Sequence, residues 1–400
     1  RPGWSAHRGG AACDDDGTFK DGSSVEAGGD FASSPPEGFL KKGEVHLEAV
    51  QTTSPQKARY DWVDALKFLG ISSIYVGHMG TAAGTLYPFT FQYCVALFFL
   101  ASGFFAPRAE QQSFWPFLKK KLCTIVLPYF AFSAINLVVD VLTWGCSFTE
   151  FVDLILAMFM GVRTKTVAAA LWFLPCLFVI SIGHYALKKF LRKDWLVVLV
   201  SLGFYIATEI GIPYRPVGEP RMFFGIDSAM CYILYYALGA VLFPYLKEFH
   251  FHGLKLWAKV LFWGAALVCT FVACVVYFKG PSFPIDALPF QLPKAIRVFY
   301  SAGLALAFLF LNFIGSKLLA HVKAFTEIGR NTLILCGTEN IMKEVLAALV
   351  SLTGLKLEIP SQFAAFVYAF LLLYLSSRTI VPLIRDHSKI LSGTYRFEKA

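Results

Sequence analysis

RYDWVDALKFLGISSIYVGH, residues 59–78, begins with the charged residues Arg59 and Asp61 and then places three further charged or imidazole side chains in a segment that is otherwise apolar enough for lipid. They are Asp64, Lys67 and His78. In a helix, Lys67 and His78 lie about 16 Å apart along the axis and on nearly the same face. Ionisable groups inside a membrane are costly and usually functional. The stretch therefore predicts the first membrane helix, with a basic residue near the surface and an imidazole at depth.

The composition of the chain excludes an ordinary soluble domain. Of its 400 residues, 56% are hydrophobic and 16% aromatic, and the mean hydropathy is +0.57. The formal net charge of +9 comes from basic residues in short groups between apolar runs, which is typical of membrane topology rather than nucleic-acid binding. We therefore predict an all-α polytopic integral membrane protein that contacts membrane lipids and no nucleic acid.

Ten apolar stretches are long enough to cross about 30 Å of hydrocarbon. They lie at 64–84, 89–106, 122–143, 171–187, 195–212, 228–246, 257–278, 297–315, 331–352 and 363–384. A shorter run at 151–161 is predicted to be interfacial or re-entrant, since an eleventh span would move the C-terminus to the other side. With ten spans and the N-terminus inside, basic residues are concentrated in the inner connections, so both termini are predicted to be cytoplasmic.

The chain is predicted to have three regions. Residues 1–57 are rich in Gly, Ser, Asp and Pro and show no periodicity, which predicts a disordered N-terminal tail. Residues 58–385 form the membrane domain, and residues 386–400 form a cytoplasmic C-terminal tail.

His78 and Glu339 are the candidate catalytic residues. A lone histidine within a membrane either bonds to another helix or takes part in chemistry. Glu339 lies about 14 Å along the ninth span from Arg330, so its predicted depth is similar to that of His78. Glu339 could simply pair with Lys343 at i+4. Alternatively, Glu339 or Asn340 could orient His78 or an acceptor hydroxyl.

Basic residues near the start of the first and third spans form a candidate site for an anionic cosubstrate. Lysine and arginine bind phosphate through charge-assisted hydrogen bonds. The alternative interpretation is a set of topology anchors. The candidates are Lys67, Arg108, Lys119, Lys120 and Lys121.

Further polar residues are candidates for binding the acceptor. Arg221 and Asp227 belong to a predicted outer loop whose aromatic, basic and acidic groups suit a sugar, although a plain solvated loop has the same composition. Asn331 and Asn340 lie in the ninth span. Asp64 either binds substrate or pairs with Lys67 at i+3.

Five motifs, in this order, resemble those of the membrane acyltransferase-3 family, in particular its branch similar to fucose 4-O-acetylases. The resemblance covers about residues 58–385. The motifs are Lys67 and His78 with ten residues between them; Phe98, Phe99, Ser102, Gly103 and Phe104; Lys119 to Lys121 with Leu127 and Pro128; Trp172 to Leu174; and Gly329, Asn331, Thr332 and Leu333. Two features depart from the family: lysines replace the arginines before the third span, and Glu339 lies where many relatives have a second histidine.

The resemblance implies an enzyme, an integral membrane O-acyltransferase that transfers groups other than aminoacyl groups. Its donor would be cytoplasmic acetyl-CoA, its acceptor a hydroxyl of a cell-envelope glycan or lipid-linked sugar, and its location the bacterial cytoplasmic (inner) membrane. No metal is expected. His78 would act either as a general base or as a nucleophile that relays the acyl group.

Two other functions fit the same residues. One is a proton-coupled transporter or exporter of a glycan or acyl metabolite, in which His78 and Glu339 relay protons. The other is a scaffold without catalytic activity. Activity that depends on a proton gradient and consumes no acetyl-CoA would identify the transporter.

Overall fold

The computed structural model describes residues 59–107, 112–163, 168, 170–286, 288, 293–354 and 359–396. Arg108 and the predicted tail at 1–57 lie outside these residues. Sixteen α-helices and no strand occur within them. The helices are α1 (Asp61–Gly77), α2 (Leu86–Thr90), α3 (Cys94–Gly103), α4 (Phe114–Lys121), α5 (Leu127–Trp144), α6 (Phe148–Met160), α7 (Phe173–Leu191), α8 (Asp194–Gly211), α9 (Ile226–Lys247), α10 (Leu256–Lys279), α11 (Phe283–Asp286), α12 (Lys294–Leu319), α13 (Lys323–Arg330), α14 (Thr332–Ser351), α15 (Gln362–Arg378) and α16 (Ile380–His387).

The all-helical polytopic membrane architecture is confirmed. Eight helical stretches in the described residues are long and apolar enough to cross a membrane. The two other predicted spans are α1, with 17 residues, and α14, whose 20 residues include Glu339, Lys343 and Glu344. The short run near 151–161 corresponds to α6, a helix of 13 residues. Every predicted span thus has a helical counterpart.

The predicted span at 64–84 is wrong at its C-terminal end. The helix α1 stops at Gly77, and His78 caps it by donating its backbone N–H to the carbonyl of Ile74 at 2.8 Å. Gly80 and Gly84 then adopt φ values of +58° and +52°, in the left-handed region that favours glycine. Because this backbone cannot continue a right-handed helix, His78 projects from a helix end.

The helix α1 lies at the centre of the bundle, where it contacts α3, α12, α13, α14 and α15. Its side chains Leu66, Ile71 and Tyr75 are completely or almost completely buried. At Gly329, α13 approaches so closely that a Cβ would overlap the Asp64 carbonyl. Membrane helices associate through close packing at small residues. The glycine of the late motif therefore permits the α1–α13 contact.

Aromatic ring contacts join α3 to its neighbours, whereas α10 faces outward. The Phe99 ring lies 4.6 Å from both the Phe173 ring of α7 and the Tyr232 ring of α9. In contrast, only 11% of the apolar window of α10 is buried, and Leu267 and Phe271 are exposed. Such a helix is suited to contact with lipid, so the core lies around α1 and α3.

Candidate active site

The end of α1 contacts the middle of α14 through two ionisable side chains. The Nδ1 atom of His78 lies 2.8 Å from Oε2 and 2.9 Å from Oε1 of Glu339. The Glu339 side chain is 4% exposed, and its Oε1 accepts a hydrogen bond from Nζ of Lys343 at 2.6 Å. Glu339 therefore pairs with both His78 and Lys343, the two partners that the sequence suggested for it.

This contact determines which nitrogen of His78 is available for chemistry. A carboxylate only accepts hydrogen bonds, so the shared proton belongs to Nδ1. The lone pair is then on Nε2, which makes no hydrogen bond to the described residues. A buried carboxylate that holds Nδ1 orients the ring and stabilises the imidazolium, as it does in serine hydrolases. The pair is therefore arranged as a base and the residue that positions it.

A hydrogen bond one turn away holds α1 against α14. The hydroxyl of Tyr75 donates to the carbonyl of Leu335 at 3.0 Å, within the buried core. Tyr75 precedes His78, and Leu335 precedes Glu339, by about one helical turn. The same two helices are therefore connected at two successive levels, which fixes the carboxylate relative to the imidazole.

The helix α5 holds α14 from another direction. The amide of Asn136, which is completely buried, donates to the carbonyl of Gly337 at 2.9 Å. The ring of Phe132 occupies the space that a Cβ on Gly337 would need. Only glycine allows this approach, so the position of Glu339 depends on α5 as well as on α1.

A cavity of about 290 Å³ is lined by both Lys67 and His78. Its walls are mainly apolar and include Phe98 of α3 and Leu177 of α7. Another part of the wall comes from a π-helical turn at Leu122–Val126, between α4 and α5. Turns of this kind are rare in proteins overall, and those that occur are often found at functional sites. Lys67 of α1 and His78 at its end therefore face one mainly apolar cavity.

A smaller cavity, of about 130 Å³, also reaches His78. It is lined by polar residues of α14 and by small side chains: Glu339, Asn340, Lys343, Cys336, Ala168 and Ala170. Because His78, Cys336 and Ala170 line both cavities, the imidazole lies where the two cavities meet. A single histidine is thus accessible from an apolar cavity and from a more polar one.

Asp64, a predicted substrate-binding residue, is surrounded by cations. It is 5% exposed, and Oδ1 accepts a hydrogen bond from Lys67 at 2.9 Å. Its Oδ2 lies 2.9 Å from Arg59 and 3.3 Å from Arg330. Asp64 lines neither cavity at His78. In this position the carboxylate orients Lys67 toward the larger cavity.

The residues of the predicted cosubstrate site are separated. Lys67 lines the larger cavity, whereas Lys119, Lys120 and Lys121 line neither cavity. Lys119 and Lys120 are exposed, and Nζ of Lys121 lies 5.8 Å from the centroid of the Phe117 ring. The wall of the cavity begins one turn later, in the π-helical turn. The three lysines are therefore near the cavity but outside its wall.

Arg221 and Asp227 form a separate unit, and the prediction of one common loop is wrong for Asp227, which lies in the first turn of α9, whereas Arg221 precedes that helix. Asp227 is completely buried and accepts hydrogen bonds from the backbone N–H of Arg221 at 2.7 Å and from the Tyr214 hydroxyl at 3.0 Å. The Arg221 guanidinium lies 4.6 Å from the centroid of the Tyr214 ring. Desolvation and the Asp227 carboxylate raise the pKa of Tyr214, which keeps its hydroxyl as a donor. Neither charged residue lines the two cavities, so their local contacts organise the loop.

The two candidate asparagines are also separated. Asn340 lines the smaller cavity, and its amide donates to Asp140 of α5 at 3.4 Å. Asn331 lies between α13 and α14, where its amide donates to the carbonyl of Glu327 at 2.9 Å. Of the two, only Asn340 lies in a cavity with His78.

Arg163 also lines the larger cavity, although no sequence pattern predicted it. Its Nη1 donates to the carbonyl of Val217 at 2.6 Å, and its guanidinium lies 5.0 Å from the centroid of the Trp172 ring. In the sequence it is one basic residue in a connection between spans. Its location depends on how that connection folds inward, for which the sequence carries no local signal.

Comparison with known proteins places these cavities within a family domain. The family model described as an acyltransferase domain, acyltransferase-3, matches residues 60–378. This chain belongs to the acyltransferase-3 family. Membership supports an acyltransferase for groups other than aminoacyl, generally by O-acyl transfer, in a multi-pass integral membrane protein. No curated protein and no solved structure matches the chain.

The acyltransferase-3 match includes every residue of both cavities and favours an enzyme over a transporter. The described part of the chain contains no group of three or more His, Cys, Asp or Glu side chains that could hold a metal ion. The polar groups that line the two cavities are an imidazole, a carboxylate, an amide, a thiol, hydroxyls and cations.

Proposed function

We propose that this acyltransferase is an O-acetyltransferase of the bacterial cytoplasmic membrane. It transfers the acetyl group of cytoplasmic acetyl-CoA to a hydroxyl of a cell-envelope glycan or lipid-linked sugar. The position of His78 carries the proposal, because Glu339 holds its Nδ1 while the ring lies where two cavities meet. Two cavities at one base suit a reaction between two substrates.

The larger cavity suits the donor. The pantetheine arm of acetyl-CoA is long, linear and uncharged, and the cavity is mainly apolar. From Lys67 to His78 it extends about 16 Å along the axis of α1. Lys67 is cationic at one end and would attract the phosphate-bearing part of the donor. The thioester would then lie beside the imidazole, and Arg108 with Lys119 to Lys121 would add positive charge near the mouth.

The smaller cavity suits the acceptor. Its polar lining by Asn340, Lys343 and Glu339 offers hydrogen-bond donors and an acceptor of the kind that bind sugar hydroxyls. A hydroxyl placed there would meet Nε2 of His78, which carries the lone pair. Donor and acceptor would therefore approach the same imidazole from different cavities.

The reaction then follows from general-base catalysis by His78. Nε2 takes the proton of the acceptor hydroxyl as the oxygen attacks the thioester carbonyl. The tetrahedral intermediate collapses by breaking the C–S bond, and the imidazolium returns the proton to the departing thiolate. The products are an O-acetyl ester and coenzyme A. Glu339 stabilises the imidazolium throughout, because its buried carboxylate faces Nδ1.

The first test measures transfer of labelled acetyl from acetyl-CoA by membranes containing the wild type, His78→Ala or no expressed protein. Loss of a general base lowers the rate about 10²- to 10⁴-fold. His252→Ala is the matched control, because His252 is exposed and lies outside both cavities. Full transfer by His78→Ala would exclude this role for the imidazole.

The same label tests whether the acetyl group passes directly to the acceptor. Incubation without acceptor leaves no label on the protein if His78 acts as a base. Label that is retained on the wild type but not on His78→Ala would instead establish an acetyl-histidine relay. If the folded wild type neither transfers acetyl groups from acetyl-CoA to any of several acceptors nor hydrolyses acetyl-CoA, the enzyme proposal fails. The transporter then becomes the favoured function.

A further inference from the structure

A third cavity, of about 710 Å³, lies at the end of the bundle where α1 begins. It is formed by the start of α1, the helix α13 with the connection that precedes it, the start of α14, the helix α16 and the residues that follow α16. About half of its lining is polar, whereas the cavity of about 290 Å³ that Lys67 and His78 line is mainly apolar. Segments that are far apart in the sequence therefore build one polar cavity.

The charge of this polar cavity is positive. Four side chains in its lining are cationic at neutral pH: Arg59, Lys323, Arg330 and Arg385. Two are carboxylates, Asp61 and Glu327, which leaves an excess of two positive charges with His321 neutral. A cavity with this balance suits a ligand with several negative charges.

The four cationic side chains differ in the ion pairs that they already form. Arg330 is paired with Asp61 at 3.1 Å and with Asp64 at 3.3 Å, and Arg59 is paired with Asp64. Arg385 forms an ion pair with its neighbour Asp386 at 3.0 Å and interacts electrostatically with Glu327. Lys323 is exposed and has no ion-pair partner among the described residues. Lys323 and Arg385 are therefore the most available to a ligand.

The polar cavity adjoins the apolar cavity of about 290 Å³ that Lys67 and His78 line. Leu333, in the first turn of α14, lines both cavities. Its neighbour Thr332 lines the larger cavity, whereas Ile334 lines the polar one. Successive residues of a helix point about 100° apart, so one turn can form the edge between two cavities. A ligand that passes this edge would occupy both.

A C-terminal turn completes this edge. Ser392 and Thr394 line the polar cavity, and the backbone N–H of Thr394 donates to the carbonyl of Lys389 at 2.9 Å. Between them, Gly393 has φ +69°, and a Cβ built there would lie 2.8 Å from Leu333. The turn therefore packs directly on the residue that the two cavities share.

We propose that this polar cavity binds the nucleotide end of the acyl-CoA donor, with Lys323 and Arg385 contacting its phosphates. The inference rests on the proposed function and deepens it. Coenzyme A carries a diphosphate and a ribose phosphate at one end and an uncharged arm at the other. The polar cavity matches the first part, the apolar cavity at His78 matches the second, and Leu333 lies between them.

The test compares acetyl-CoA with S-acetylpantetheine, a donor that has the same thioester arm and no nucleotide. In the double variant Lys323→Gln/Arg385→Gln, kcat/KM for acetyl-CoA falls about tenfold or more, because two charge-assisted hydrogen bonds are lost. Transfer from S-acetylpantetheine stays at the wild-type rate. Size-exclusion chromatography in detergent verifies that the variant is folded.

One control variant and one competing pair of lysines make the comparison specific. Lys255→Gln removes an exposed lysine at the same end of the bundle, outside the polar cavity, and leaves both donors unaffected. Lys119→Gln/Lys120→Gln removes two exposed lysines outside all three cavities. If this second pair, rather than the cavity pair, abolishes the preference for acetyl-CoA, the inference is wrong and the proposed function remains.

Calorimetric titration with coenzyme A provides a readout that needs no acyl transfer. The wild type binds coenzyme A, and the double variant Lys323→Gln/Arg385→Gln raises Kd about tenfold or more. Equal Kd values for the two proteins, or an equal loss of transfer from both donors, would overturn the inference. Binding that depends on Lys323 and Arg385 without any acetyl transfer would uphold this nucleotide site and contradict the proposed function.

Discussion

Single residues determine the state of the imidazole. Glu339 is buried, and its carboxylate holds the Nδ1 proton of His78 while it also accepts a hydrogen bond from Lys343. One carboxylate thus contacts both the imidazole of His78 and the amine of Lys343. As the base takes up a proton, the buried carboxylate stabilises the new charge, which would be costly without such a partner.

Glu339→Gln is expected to lower kcat for acetyl transfer by roughly 10²-fold or more. The amide has no charge to stabilise the imidazolium, and its NH₂ group can impose the wrong tautomer on His78. Transfer assays on purified enzyme measure the change. Glu344→Gln, one turn further along α14, is the matched control and keeps wild-type activity. Unchanged kcat in Glu339→Gln would show that the carboxylate has no such role.

At the scale of helices, glycine contacts determine how closely the catalytic helices approach. Gly329 brings α13 against the backbone of α1 beside Asp64, and Gly337 brings α14 against Phe132 of α5. In lipid there is little hydrophobic driving force between helices, so close van der Waals packing accounts for much of their association. These glycines therefore contribute to the site through the positions of α1 and α14.

Gly329→Ala is expected to destabilise the protein by about 1–3 kcal/mol, because the new methyl group overlaps the backbone of α1. A lower melting temperature in detergent would report the loss. Gly303→Ala in α12 is the control, since nothing lies within 4 Å of a Cβ there. This control is expected to be neutral or slightly stabilising, because alanine favours helix. Equal melting temperatures for the two variants would contradict the packing argument.

At the scale of the whole molecule, the orientation in the membrane remains a prediction from the distribution of basic residues. Ten spans with both termini inside place the connection between α5 and α6 outside. Cys146 in this connection is exposed. The molecule therefore contains its own reporter of orientation.

A membrane-impermeant maleimide is expected to label Cys146 in intact cells, and Cys146→Ser is expected to remove that label. Lys255 lies at the other end of the bundle. The cysteine introduced by Lys255→Cys is expected to react with the maleimide only after permeabilisation. Mass spectrometry of the labelled peptides measures both reactions. The reverse pattern would place the termini and the polar cavity on the outer side.

The sequence by itself determined the helical, membrane-spanning architecture and the spacing of the first-helix residues. Apolar length predicts spans, and the helical period places Lys67 and His78 on one face, since both signals are local. The same counting placed Glu339 near the depth of His78. The apolar run continues to 84, but α1 ends at Gly77 because the backbone at Gly80 and Gly84 is left-handed. This boundary was therefore predicted wrongly.

Only the tertiary structure decided which side chains meet. The Glu339–His78 contact, the burial of Asp64 among three cations and the inward position of Arg163 all depend on how helices pack. The polar cavity likewise combines α1, α13, α14 and the C-terminal turn. Periodicity tells which face of a helix a residue occupies, but it carries no information about which other helix that face contacts. Packing between distant segments supplies that information and thereby forms the site.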